Sequence, residues 1–202
     1  MKRMLQGEKV MRKGLAIVCA LAVLTIGGTA SAEGSGVRIE ARGGIGLPTF
    51  DIADVAKIGG LGGVGVWYTP TDSKWTFGAE ADFGIHPGED LEVGSATVEG
   101  PDVNVYHLMG KAGYNLYSSD DGKLDVIANL GAGAVMFDVD VEGADMETYL
   151  AINAGGKIYY ALSSQIDFVV SLQGDIAFTD KDVLGTDNAW VWPLGVGIAI
   201  KL

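Results

Sequence analysis

Cysteine is nearly absent from this chain of 202 residues: there is one, Cys19. That excludes a disulfide framework and a cysteine-based zinc site. Basic charge is scarce, with 14 Lys and Arg against 26 Asp and Glu, a net charge of −12. Without a basic face, nucleic acid is not an expected partner. Only 20% of residues are charged and 48% are hydrophobic, which argues against disorder. There are only two histidines, His86 and His107, and after the first 32 residues no stretch reads as a long amphipathic helix. Glycine is plentiful, at 31 residues.

The first segment reads as an address. Lys2, Arg3, Lys9, Arg12 and Lys13 form a basic region, Leu15–Ile26 is an uncharged apolar run, and Ala30-Ser31-Ala32 supplies small residues for cleavage. This is the pattern of a secretory signal peptide over residues 1–32. The run is shorter than the roughly 20 residues that span a bilayer as a helix. Met11 opens a more ordinary leader of its own and is an alternative start. Cys19 follows Val18 and not a small residue, which disfavours a lipoprotein site. Removing the leader's five basic residues and Glu8 leaves 9 basic and 25 acidic side chains in residues 33–202, a net of −16. A single exported domain over 33–202 is expected.

From Val37 onward the hydrophobic period is two. In Gln165–Phe178, Ile166, Phe168, Val170, Leu172 and Ile176 share one face, opposite Asp167, Ser171, Gln173 and Asp175. The same split recurs in Val37–Leu47, Lys74–Ile85, Val103–Tyr117, Leu124–Met136, Leu150–Leu162 and Trp190–Leu202. Ile58–Tyr68 is Gly-rich, and Val64, Val66 and Tyr68 are assigned outward. That makes eight strands of about 11 to 14 residues, long enough to cross a bilayer when tilted. Their connections alternate. Thr69–Ser73, Ser118–Gly122 and Ser163-Ser164 are short turns, whereas Thr49–Lys57, His86–Asp102, Phe137–Tyr149 and Thr179–Ala189 are longer and acidic. Short turns on one rim and long loops on the other describe an all-β, eight-stranded antiparallel up-and-down transmembrane β-barrel.

A soluble sandwich or periplasmic barrel also alternates, so the composition of the faces is the better guide. The apolar faces of the seven well-read segments hold no charge. The opposite faces are rich in glycine and small residues with isolated charges, as crowding inside a narrow cylinder requires. Aromatics gather at strand ends: Trp67, Tyr68, Trp75, Tyr114, Tyr117, Tyr160 and Phe168 by the short turns, Phe83, Tyr106, Tyr149, Phe178, Trp190 and Trp192 by the long loops. Two girdles around an aliphatic band fit interfacial anchoring.

Residues 33–202 resemble the small eight-stranded outer-membrane β-barrels, the OmpA/OmpX-like, porin-family group. The resemblance rests on Val37–Leu47 after the leader, Tyr114-Asn115-Leu116 before the second turn, and the closing Leu194–Leu202. The chain departs from the family in ending on Leu202, where Phe or Trp is usual. The resemblance implies residence in the cell outer membrane of a Gram-negative-type envelope, contact with its lipid and lipopolysaccharide, and handling by the barrel-assembly machinery. A monomer without a cofactor is expected, and with nothing after the eighth strand the peptidoglycan-binding domain of larger relatives is expected to be absent.

The expected lumen charges are Arg38, Glu40, Arg42, Glu80, Asp82, His107, Lys111, Lys157, Asp167 and Asp175, with Asn129 and Ser171 at a similar height. Buried charges need partners, so they are expected to form a salt-bridged plug. A narrow ion path is the alternative. His107 is expected to approach Asp82 or Glu80, and with no serine at a fixed spacing no enzyme is expected. Asp138, Asp140, Glu142 and Gly143 open like a calcium loop, but its twelfth position is Tyr149, not the required Glu. Weak divalent-cation binding by this loop, or by Asp180, Asp182 and Asp187, is left open, and no metal ligand is assigned. Gly59–Gly65 lacks the Lys and helix of a phosphate loop and reads as close strand packing.

Overall fold

A computed structural model describes residues 36–93, 96–141, 143–181 and 187–202. The leader with Cys19, Glu142 of the calcium-like loop and Asp182 lie outside the described residues.

The chain runs β1 (Val37–Thr49), a 3-10 turn (Phe50–Asp54), β2 (Gly59–Tyr68), β3 (Trp75–His86), β4 (Leu91–Val93), β5 (Ala96–Val98), β6 (Val103–Ser118), β7 (Leu124–Val139), β8 (Glu147–Ala161), β9 (Ile166–Phe178) and β10 (Asn188–Lys201). Eight of these strands close in the order β1-β10-β9-β8-β7-β6-β3-β2, all antiparallel, while β4 and β5 form a separate hairpin. Closure is direct, because Arg38 stands opposite Lys201 and Thr49 opposite Trp190. A closed ladder leaves no unpaired edge. Val37 and Lys201, where the barrel strands begin and end, both lie on the short-turn rim.

Alternation explains the strands. On β9, Asp167, Val169, Ser171, Gln173, Asp175 and Ala177 are buried, while Ile166, Phe168, Leu172 and Phe178 are exposed. Every strand keeps the parity expected of it, including β2, whose Val64 and Tyr68 face out. A bulge at Leu116 shifts the β6–β7 register, so Asn115 pairs with Ile127 and Tyr117 with Val126. Pro193 lacks an amide proton, and the β9–β10 ladder skips it and Trp192. There the Trp192 ring lies over Gly174, where an added Cβ would come within 2.8 Å of Cζ3.

The turns use local chemistry. Gly122 adopts φ +67° and donates to Ser119 O at 2.9 Å, while Ser119 Oγ accepts from the Lys123 and Leu124 amides. The long connections hold more structure than expected. The first carries the 3-10 turn, the second the β4–β5 hairpin, and β7 and β8 run on into the third, to Val139 and from Glu147. Three-residue strands and a single helical turn fall below the length at which periodicity is visible.

Candidate functional site: the filled lumen

The lumen is filled in two layers. Towards the short turns the filling is ionic. Glu80 of β3 meets Lys111 of β6 at 2.6 Å, Arg42 of β1 at 3.0 Å, and Lys157 of β8. Glu40 of β1 meets Arg42 at 3.1 Å and also pairs with Lys157. Arg42 reaches Asp82 at 2.7 Å. All of these side chains are buried, Asp82 being the most exposed at 8%. Charges removed from water this thoroughly persist only because each has opposite partners and hydrogen bonds. Glycines on β2 and β3 make the room: an added Cβ at Gly65 would press on Glu40, and one at Gly78 on the Trp67 ring, 2.6 Å from Cδ2.

A second ionic group lies nearer the rim. Arg38 pairs with Asp125 at 2.7 Å and Asp167 at 3.2 Å, and Lys201 pairs with Asp167 at 2.8 Å. A third lies above the Arg42 cluster, where His107 Nδ1 is 2.7 Å from Asp175 and Asn153 donates to the same carboxylate. His107 therefore does not pair with Asp82 or Glu80. Asp82, its neighbour in register, is held by Arg42, and the His107 ring reaches across the lumen to β9. Ser171 bonds with Arg42 and Gln173, not with His107. Asn129 is buried at the expected height but joins no cluster: neither amide atom has a partner. Between Arg42, Leu61, Asp82, Ser171, Gln173, Pro193 and Gly195 a cavity of about 10 Å³ remains, room for one water.

Two residues assigned to the girdles lie inside instead. Trp67 is buried, and its Nε1 donates to both Glu40 and Glu80 at 3.1 Å, with Lys157 over its ring at 4.6 Å. Its parity with Gly65 and Gly63 turns it inward, and the bare Gly78 gives the indole space. Tyr149 shares inward parity with Ala151 and packs against Phe137, with ring centroids 6.1 Å apart. The other girdle residues lie on the outer face. Trp75 meets Tyr114 edge-on at 5.1 Å on the short-turn side, and Phe83 meets Tyr106 at 4.9 Å on the other. Tyr159, which shares the face of Asn153 and Lys157 on β8, also belongs to the lumen: its hydroxyl donates to Glu40 at 3.1 Å while Arg38 stacks on its ring.

Towards the long loops the filling is apolar. Val103, Val105, Val135, Phe137, Ala151, Ala177 and Ala189 form one buried cluster, and Ile52 and Ala56 enter it from the first long connection. His86 lies beneath that connection, its Nδ1 3.0 Å from Lys57 O. Outside the wall, Lys57 is 2.9 Å from Asp90, and that carboxylate raises the Lys57 pKa. Among the described residues, no group of three or more His, Asp or Glu is placed to hold a metal ion.

The comparisons agree with this geometry. Three solved structures share the fold. Neisserial surface protein A is 15% identical with a TM-score of 0.63, covering 84% of this chain and 100% of its own. OprG, an outer membrane protein of Pseudomonas aeruginosa, is 15% identical with a TM-score of 0.57, covering 83% and 96%. A major outer membrane protein of Thermus thermophilus is 16% identical with a TM-score of 0.52, covering 81% and 98%. No curated protein matches the sequence. The sequence model of the outer membrane protein beta-barrel domain matches residues 16–202. The chain belongs to that family of outer-membrane β-barrels.

Proposed function

We propose that this protein is a closed, non-enzymatic barrel of the outer membrane whose work is done by its surfaces. Its girth sits among lipid and lipopolysaccharide, and its long acidic connections are presented outward. The lumen is a plug and not a pore. The observation that carries this reading is the fullness of the interior: Glu40, Glu80 and Lys157 are at most 2% exposed, and an apolar layer follows directly above the ion pairs. An eight-stranded cylinder is just wide enough for its own side chains. The outer face supports membrane residence, since Leu108, Leu130, Leu150, Leu172, Val196 and Ile198 are all more than half exposed. Large contiguous apolar surface of this kind belongs in lipid. Export through a cleaved leader, insertion by the assembly machinery and a monomeric state complete the proposal.

A narrow channel is the second reading, favoured by one observation: polar groups follow one another from Lys201 to Asp175 along most of the lumen. Single-channel recording of purified protein in planar bilayers tests the choice. A silent protein is the expected result. Steady conductance steps that vanish on Lys111→Ala or Glu80→Ala would overturn the plug.

A further inference from the structure

The Phe50–Asp54 turn straddles the barrel wall. Phe50 has φ +58°, a backbone state that bulky residues rarely adopt. This conformation leaves the ring 68% exposed, edge-on to Trp190 at 5.3 Å on the outer face. Beside it, Trp192 Nε1 donates to Thr49 Oγ1 at 3.1 Å. Two residues on, Ile52 is 4% exposed and packs in the apolar layer, as does Ala56. Ile52 O accepts from the Val55 and Ala56 amides, so the segment turns back on itself as one compact unit. The next layer down is the His107–Asp175 pair, one inward position below Val105 on β6 and Ala177 on β9. An aromatic grip outside and an aliphatic stopper inside thus lie two residues apart, joined by a strained backbone.

We propose that Phe50–Ala56 is a latch: Phe50 grips the outer aromatic belt, Ile52 and Ala56 stopper the lumen, and loss of the grip admits water and small solutes to the His107–Asp175 pair. This rests on the closed-lumen reading and adds the place at which the closure yields. Two further ties lie at the far end of the segment. Lys57 N donates to Pro87 O at 2.7 Å and Glu89 N to Val55 O at 3.1 Å, both towards the second long connection. They hold the far end of the segment, beyond the turn that Phe50 opens.

The test uses thiol accessibility. In a Cys19→Ser background, Ile52→Cys carries the only thiol. The protein is reconstituted in phosphatidylcholine vesicles and treated with a membrane-impermeant maleimide. Ile52→Cys alone should react slowly. Adding Phe50→Gly should raise the rate by at least about tenfold, because opening becomes local and frequent. Glycine accepts φ +58°, so this variant removes the ring without adding strain. Phe50→Trp should keep the rate low. If Ile52→Cys gives no heat-modifiable band, Ala56→Cys serves as the reporter. A rate indifferent to Phe50→Gly, or already fast in the parent, would overturn the latch. Conductance by the parent protein would instead overturn the closed-lumen reading, so the two failures are distinguishable.

Discussion

Below Arg42 the lumen is occupied by the paired side chains of Glu40, Glu80, Lys111 and Lys157, drawn from four strands far apart in the chain. Above His107 it is occupied by Val105, Phe137 and Ala151, and by Ile52 from a single connecting segment. The difference is one of dependence. In the ionic layer each side chain satisfies at least one other, so removing one strands several charges. In the apolar layer no contact is directional, and the part contributed by Ile52 can leave without uncovering a charge at its own site. On the proposed plug reading, the first closure is built into the wall and the second is seated on it.

The strongest way to break the comparison is Glu80→Ala. It leaves Arg42, Lys111 and Lys157 facing one another, and breaking a buried ion pair in this way costs about 3–5 kcal/mol. Urea unfolding in detergent should show that loss, with an early heat-modifiability shift. A variant as stable as the parent would mean that water already reaches the cluster. Ile52→Ala should cost less, about 2 kcal/mol at the low end for such truncations, because a connecting segment can settle into the space it leaves. A cost equal to that of Glu80→Ala would erase the distinction between built-in and seated closure.

The smallest effect lies outside both layers and calibrates them. The Asp121 carboxyl sits below its usual range, first because the Ser119 hydroxyl donates to it and then because the Lys123 amide does. The Ser119–Lys123 turn should therefore hold fully above the ordinary carboxylate range and loosen only as pH falls through that lowered value. Amide exchange at Lys123, compared across that interval, measures it. Loosening on alkalinisation would contradict the assigned direction.

The strand pattern was legible because one periodicity runs through the whole wall. Once Val64, Val66 and Tyr68 are placed outward, Trp67 must point in, yet an indole beside a short turn also fits an interfacial belt. Composition and parity conflicted there, and parity prevailed because Gly78 leaves a space for the ring. Tyr149 is the same case on β8. The partner of His107 was not legible, because period two says which face a residue takes and not how far strands are staggered around the cylinder. Asp175 lies across the lumen on β9, a distance no local spacing encodes. Ile52 was hidden for another reason: it sits between Asp51 and Ala53 in a five-residue turn too short to show a period.

The pairing of β1 with β10 has a consequence for how the molecule is made. Arg38 finds its partner in Lys201, near the opposite end of the polypeptide. A nascent chain that lacks β10 would enter hydrocarbon with a bare row of amides and carbonyls along β1, a cost of several kcal/mol per group. Insertion thus waits on the ribosome finishing, and contacts of such long sequence separation form slowly. Until β10 arrives, the residues of the outer face have no finished cylinder to carry them into lipid.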